Sequence, residues 1–113
     1  MDDLTELSHT LATRCEGILG NAGVLEQKIP GFVARPEQMT LATTIAQTIG
    51  EKQILVAEAG TGTGKTYAYL VPALLSGGKT LISTATKTLQ DQLFQKDLPV
   101  LVNALQLPVR IQI

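Results

Sequence analysis

The sequence predicts an α/β fold, in which a parallel sheet is covered by helices and preceded by further N-terminal helices. Two short stretches, 53–57 and 79–84, are rich in β-favouring side chains, and 109–113 alternates strictly between apolar and polar residues. Longer stretches with helical periodicity lie between them, so each predicted strand connects to the next through a helix. Such crossovers are right-handed and place helices over the faces of a parallel sheet.

The N-terminal part of the chain predicts one helix over residues 3–19, because apolar side chains recur there at intervals of mostly three or four residues. Residues 20–23 tolerate positive φ angles and end this helix. Residues 24–36 contain two prolines and a glycine, which predict a connector. Residues 1–28 thus contain a predicted helix and the first part of a connector. The apolar face of the first helix is formed by Leu4, Leu7, Leu11, Cys15, Ile18 and Leu19.

Four more helices are predicted in the second part of the chain. Pro36 suits the first position of a helix that runs to about Ile49 and that Gly50 closes. A helix over 64–76 contains Pro72, which should bend its last turn. Two others cover 87–97 and 100–106, and Pro99 breaks or restarts the helix between them. One face of the helix that follows Pro36 is formed by Gln38, Leu41, Ala42, Ile45, Ala46 and Ile49.

Composition restricts the class of protein. Apolar residues make up 44% of the 113 and charged residues 17%, as in a globular chain rather than a disordered one. The net charge of −1 provides no basic footprint for nucleic acid or an anionic membrane. Cys15 is the one cysteine, so this chain can form neither an internal disulfide nor a multi-cysteine metal site. An acidic N-terminus and the lack of any membrane-length apolar run predict a cytoplasmic protein with no membrane partner.

Residues 58–66 read Glu-Ala-Gly-Thr-Gly-Thr-Gly-Lys-Thr between a predicted strand and a predicted helix, the context of a phosphate-binding loop. Backbone N–H groups of such a loop form an anion-binding nest at the helix N-terminus. Lys65 would reach the β- and γ-phosphates of a nucleotide, and the Thr66 hydroxyl would hold Mg²⁺. The strict pattern begins with glycine, whereas this sequence has Ala59. The alternative is a flexible connector with a solvated lysine. The predicted nucleotide-binding residues of the loop are Ala59, Gly60, Thr61, Gly62, Thr63, Gly64, Lys65 and Thr66, of which Lys65 and Thr66 are also the predicted catalytic residues.

Residues 58–70 resemble motif I of the superfamily 2 DNA helicases of the DinG/YoaA type, which are relatives of XPD. Gly31-Phe32 and residues 35–42 resemble the Q motif of that family, and residues 83–93 resemble its motif Ia. The resemblance covers about residues 29–113, is nearest to the YoaA branch, and leaves 1–28 unmatched. It implies that 29–113 form the N-terminal, incomplete part of motor domain 1, a RecA-like P-loop NTPase domain.

The resemblance also implies roles for individual residues. Gln38 would hydrogen-bond the adenine edge of ATP, Arg35 would support that pocket, and Phe32 would pack near the base. Single-stranded DNA would contact a segment that contains Thr84, Thr86 and Gln92, and the alternative for Thr84 or Thr86 is capping of the following helix. In a full-length protein the family implies ATP, Mg²⁺ and single-stranded DNA as ligands, and 5′→3′ unwinding in DNA repair.

The family also has parts that this sequence lacks. Its iron–sulfur cluster needs four cysteines, its hydrolysis needs an Asp-Glu-Ala-His box, and its arginine finger lies in a second motor domain; none is found in these residues. We therefore expect an N-terminal part of a longer helicase that is inactive alone. A catalytically inactive nucleotide-binding fragment from a truncated reading frame is the first alternative. The second is an unrelated P-loop enzyme such as a small-molecule kinase, against which Gln38 and the motif Ia resemblance argue.

Overall fold

The computed structural model describes residues 3–56, 64–109 and 111. Three longer helices, α1, α3 and α4, pack against one another and form most of the core. A second group of helical segments follows them, and a continuous run of these segments spans residues 87–105. In chain order the elements are α1 (Asp3–Leu19), α2 (Val24–Lys28), α3 (Pro36–Gly50), α4 (Lys65–Leu75), α5 (Lys87–Gln92), a π-helical turn (Leu93–Asp97) and α6 (Leu98–Leu105).

The first helix forms as its periodicity predicts, and its apolar face is buried in the core from Leu11 to Leu19. The Leu7 side chain, in contrast, is half exposed. The segment after α1 differs from the prediction, because Val24–Lys28 forms the short helix α2 instead of remaining part of a connector. Helix α2 buries Leu25 and packs close to α6. The buried residues of α1 are Ser8, Leu11, Ala12, Cys15, Ile18 and Leu19.

Helix α3 presents small side chains to its neighbours. Arg35 precedes it in an extended conformation, and Pro36 occupies its first turn, where a missing N–H is not needed. Gln38, Ala42, Ala46 and Gly50 are buried at intervals of four residues, so they form one row along the helix. Because three of these four are alanine or glycine, α1 and α4 approach α3 closely.

Helix α4 confirms the predicted helix after the glycine-rich stretch. It continues through the buried Pro72 to Leu75, so the proline does not disrupt the first two turns. At Pro99 the chain follows the second of the two predicted alternatives, a restart of the helix and not a break. Pro99 lies in the first turn of α6, and the chain passes from α5 through the π-helical turn into α6 without interruption.

The predicted parallel sheet is wrong for the residues that the structure describes. Residues 53–56, 79–84 and 109 have no regular secondary structure, and the remainder of the first and third predicted strands includes residues outside the described set. A strand is stabilised by hydrogen bonds to a neighbouring strand and by burial of a face. Ile54 and Leu81 are 93% and 96% exposed, and Ile82 is only partly buried, so neither stretch buries a complete strand face. The α/β, RecA-like sheet is therefore corrected to an all-helical arrangement of the described residues.

Candidate nucleotide-binding site

Gln38 connects the two helices that the sequence assigns to nucleotide binding. Its side chain, only 3% exposed, points from the first turn of α3 towards the start of α4. There the Gln38 Nε2 donates a hydrogen bond to the backbone carbonyl of Gly64 at 3.2 Å. The first turn of the Q-motif helix thus contacts the last glycine of the predicted phosphate loop, 26 residues later in sequence.

The carbonyl oxygen of the Gln38 amide, Oε1, is buried and accepts no hydrogen bond from the residues that the structure describes. A buried acceptor without a partner costs about 1–3 kcal/mol, so the group favours a ligand that donates a hydrogen bond. An adenine edge offers a donating amino group beside an accepting ring nitrogen, and a glutamine amide can pair with both. The arrangement fits the adenine role predicted for Gln38.

Gly64 is required here for two independent reasons. It precedes α4 with φ 77° and ψ 34°, a left-handed conformation that side chains disfavour. A Cβ at Gly64 would also overlap the Gln38 amide. This glycine therefore allows α4 to begin while Gln38 lies directly against the backbone.

The other two predicted base-pocket residues, Phe32 and Arg35, differ in burial and in their contacts. Phe32 is partly buried and packs against Tyr67, with the ring centroids 6.0 Å apart and the planes tilted by 45°. Because Tyr67 lies in the first turn of α4, the Phe32 ring is placed beside the start of that helix. Arg35 is exposed, and its backbone carbonyl accepts the Met39 N–H at 3.1 Å to begin α3.

Lys65 and Thr66 line a cleft of about 800 Å³ together with residues of the predicted DNA-contact segment. Thr84 and Gln92 lie on the same cleft, so the structure brings motif I and motif Ia together. A hydrogen bond joins the side chains of Thr66 and Tyr69, one turn apart on α4. The apolar wall of the cleft includes Leu41, Ile45, Ile49, Leu55, Leu89 and Leu93.

Thr86 acts as a helix cap in this structure. Its Oγ1 accepts the backbone N–H of Leu89 at 3.1 Å, which is the standard N-cap interaction for α5. The Thr84 hydroxyl donates to the Thr86 carbonyl at 3.2 Å. The capping role predicted as the alternative for these threonines thus belongs to Thr86, while Thr84 faces the cleft.

The sequence predicts no individual role for Asp97 or Tyr69, which also line this cleft. Burial raises the pKa of Asp97 above its usual 3.8, and the neighbouring Lys96 partly opposes this. Burial also raises the pKa values of Tyr67 and Tyr69, and the charge of Asp97 adds to both shifts. The three-residue spacing of Thr66 and Tyr69 could have indicated that they share one face of α4. No such signal exists for Asp97, because its burial depends on how the π-helical turn packs.

The central part of the predicted phosphate loop lies outside the described residues. These positions are Ala59, Gly60, Thr61, Gly62 and Thr63. Within the described ranges, no group of three or more His, Cys, Asp or Glu residues could hold a metal ion. Across the same ranges, no helix combines the length and apolarity needed to cross a membrane.

Comparison with known protein sequences identifies the family of this chain. The sequence model of the DEAD/DEAH box helicase family matches residues 35–110, from the start of α3 to beyond α6. The protein named ATP-dependent DNA helicase YoaA of Haemophilus influenzae is 57% identical over 83 residues, and that of Escherichia coli is 54% identical over 84. Each alignment covers 74% of this chain. No solved structure matches the chain.

A second set of relatives is more distant. ATP-dependent DNA helicase DinG of Salmonella typhimurium is 43% identical over 83 residues, which cover 68% of this chain. The matched region is 13% of the length of the two YoaA proteins and 12% of the DinG protein. The chain thus spans about one eighth of these relatives. The identity is higher to the YoaA proteins than to DinG, as the resemblance in the motifs predicts.

Proposed function

This chain belongs to the DEAD/DEAH box helicase family, and on that premise we propose that it is the N-terminal ATP-binding part of an ATP-dependent DNA helicase. In the full-length protein, ATP hydrolysis would be coupled to DNA unwinding. The names of the YoaA and DinG relatives support this activity. Membership of the helicase family argues against the alternative of an unrelated P-loop enzyme.

The observation that carries the proposal is the contact between Gln38 and Gly64. Through this hydrogen bond the buried Gln38 amide is held at the start of α4, the helix that begins with Lys65. The Oε1 atom of the same amide has no partner among the described residues. We assign Gln38 to the adenine edge, with Phe32 and Arg35 flanking it. Guanine presents a carbonyl oxygen where adenine presents its amino group, so the open Oε1 of Gln38 favours ATP over GTP.

The phosphates and the metal would bind at the other side of Gly64. The Lys65 ammonium would stabilise the β- and γ-phosphates, together with the loop residues from Ala59 to Gly64. Hydroxyl oxygen is a ligand that Mg²⁺ accepts, and Thr66 lines the cleft at the first turn of α4. Mg²⁺ would supply charge neutralisation at the phosphates, and Thr66 would hold it there.

Single-stranded DNA is the proposed second ligand in the full-length protein. Thr84 and Gln92 support this assignment because they share the cleft with Lys65, whereas Thr86 would act through its cap. The family resemblance further suggests 5′→3′ unwinding in DNA repair, within the cytoplasm. We also propose that residues 29–113 belong to motor domain 1 and that 1–28 precede it.

An iron–sulfur cluster, expected in the full-length family member, would take its ligands from outside this chain. Cys15 is the only cysteine in these residues, and its side chain is fully buried in the core. Burial raises the pKa of the Cys15 thiol to about 11, so the thiol remains protonated at neutral pH. A protonated, buried thiol is unsuited to metal ligation.

We expect Lys65→Ala to weaken ATP binding by the intact protein and to abolish its unwinding activity. A charge-assisted contact to phosphate contributes about 1.5–3 kcal/mol, which corresponds to roughly a ten- to hundredfold loss in affinity. Lys79→Ala is the matched control, because Lys79 is exposed and does not line the cleft. Titration with ATP and a strand-separation assay measure both effects. Unwinding at the parent rate by Lys65→Ala would overturn the phosphate-loop assignment.

Base selectivity is tested separately with Gln38→Ala. We expect this variant to bind ATP more weakly and to narrow the difference between the Kd values for ATP and GTP. Loss of one neutral hydrogen bond, about 1 kcal/mol, corresponds to roughly a fivefold change in that ratio. Gln47→Ala provides the control, since Gln47 is an exposed glutamine on the same helix. If Gln38→Ala retains full discrimination, then Gln38 does not read the base.

A further inference from the structure

Helices α1 and α2 lie before the family match, which begins at residue 35, yet they share the core with the matched helices. Helix α1 packs against both α3 and α4. Cys15 and Leu25 are fully buried, and Leu19 is nearly so. Residues 3–28 are therefore packed into the same core as the helices that present Gln38 and Lys65.

Helices α1 and α3 approach each other closely where Ser8 meets Gly50. Ser8 is only 5% exposed, although serine is usually found at the surface. A Cβ built on Gly50 would lie 2.5 Å from the Ser8 Cα and 2.6 Å from the Ser8 backbone nitrogen. Gly50 is the last residue of α3 and does not have a positive φ, so space rather than backbone conformation requires glycine here.

Gly50 and Gln38 belong to the same row of buried residues on α3, with Ala42 and Ala46 between them. They are twelve residues apart, which is about 18 Å along a helix. A helix transmits a shift or rotation at one end to the other, because its hydrogen-bonded backbone is stiff over this length. The position of the Gln38 amide against Gly64 thus depends on how closely α1 can approach Gly50.

We propose that residues 3–28 form a brace that positions Gln38 for the nucleotide base, through the crossing of Ser8 and Gly50. Ser8 and Gly50 are positioning residues, since neither contacts the candidate nucleotide site. The brace rests on the proposed function, because it requires that Gln38 reads adenine. Residues that lie before the family match would thus contribute to the selectivity of the nucleotide site for adenine.

The test compares the ratio of GTP to ATP dissociation constants among variants of the intact protein. Gly50→Ala forces α1 away from α3 and should reduce this ratio by up to about fivefold, the effect of losing the Gln38 hydrogen bond to the base. Gly17→Ala is the matched control, because a Cβ at Gly17 meets nothing within 4 Å. It should leave the ratio unchanged.

A second control separates positioning from stability. Ile18→Val trims one buried methyl group of α1 without touching the Ser8–Gly50 crossing, so it should lower the melting temperature and leave the ratio unchanged. If the crossing has a purely structural role, Gly50→Ala should likewise lower the melting temperature and leave the ratio of dissociation constants unchanged. If Gly50→Ala does not fold, Ser8→Thr adds its methyl group at the same crossing from the α1 side chain instead of the α3 backbone, and it should also reduce the ratio.

The outcomes distinguish this inference from the proposed function. If Gln38→Ala leaves the ratio unchanged, the assignment of Gln38 to the base fails, and the brace fails with it. If Gln38→Ala reduces the ratio but a folded Gly50→Ala or Ser8→Thr protein does not, only the brace is overturned. A reduction in both Gln38→Ala and the crossing variant, with Gly17→Ala and Ile18→Val unchanged, supports the brace.

Discussion

At the scale of single residues, Gly64 combines two constraints that can be separated by mutation. Its φ of 77° disfavours any side chain, and the Gln38 amide occupies the space that a Cβ would need. Gly77 has almost the same φ, 75°, but a Cβ there would meet nothing within 4 Å. The two glycines therefore differ in their surroundings and not in their backbone conformation.

We expect Gly64→Ala to destabilise the protein more than Gly77→Ala does. A left-handed alanine costs about 1–2 kcal/mol at either position, and Gly64→Ala should lose about 1 kcal/mol more because the Gln38 hydrogen bond is displaced. Urea denaturation measures the free energies of unfolding, and titration measures ATP affinity. Only Gly64→Ala should weaken ATP binding. Equal effects of the two substitutions would contradict a specific contact between Gln38 and Gly64.

Motifs in the sequence specify several of the proposed site residues, and their binding roles stay predictions. Gln38, Gly64, Lys65 and Thr66 stand at positions whose chemistry follows from the Q motif and the glycine-rich loop, and the described structure places Gln38 against Gly64. Asp97 could not be predicted in the same way. Its place in the cleft depends on the packing of three segments that are distant in sequence, and local periodicity does not report that packing.

At the scale of elements, the longer helices were predictable, whereas the short helix α2 was missed and the predicted strands are wrong. A helix satisfies its hydrogen bonds within one segment, so periodicity and terminal residues such as Pro36 and Gly50 locate α3 well. A strand needs a neighbour, and sequence pattern shows only that a segment is suited to pair. The stretches around Ile54 and Leu81 have suitable side chains, yet these two residues are exposed and neither stretch forms a ladder in the described structure.

The π-helical turn gives a prediction about pH at this scale. Burial raises the folded-state pKa of Asp97 above 3.8, so the folded protein binds more protons than the unfolded one between these two pKa values. Asp97 consequently lowers stability as the pH rises through this window, and the loss persists at neutral pH. We expect Asp97→Asn to be more stable than the parent at pH 7, with the difference shrinking as the pH falls towards 3.8.

Denaturation of both proteins at a series of pH values measures this effect, and the difference between them cancels the contribution of the other carboxylates. A difference that stayed constant with pH would show that the amide acts through packing and not through loss of the charge. A parent protein more stable than Asp97→Asn at pH 7 would mean that the carboxylate makes a favourable interaction in the cleft.

At the scale of the whole molecule, binding and turnover place different demands on the chain. Phosphoryl transfer depends on positioning and on charge stabilisation around the transferred group. The described cleft is lined by Lys65 and Thr66, the proposed nucleotide-binding residues, with Asp97 as the carboxylate among its described lining residues. The sequence contains no Asp-Glu-Ala-His box to hold the metal shell and orient the attacking water.

We therefore expect these 113 residues, expressed alone, to bind ATP weakly but neither to hydrolyse it at a helicase-like rate nor to unwind DNA. Exposed apolar side chains such as Ile54, Val56 and Leu81 should also make the product poorly soluble. ATPase turnover of the purified chain, with and without single-stranded DNA, measures the activity, and Lys65→Ala corrects for contaminating enzymes. Turnover that DNA stimulates and that Lys65→Ala abolishes would contradict the prediction, because catalysis would then need no carboxylates beyond those in this chain.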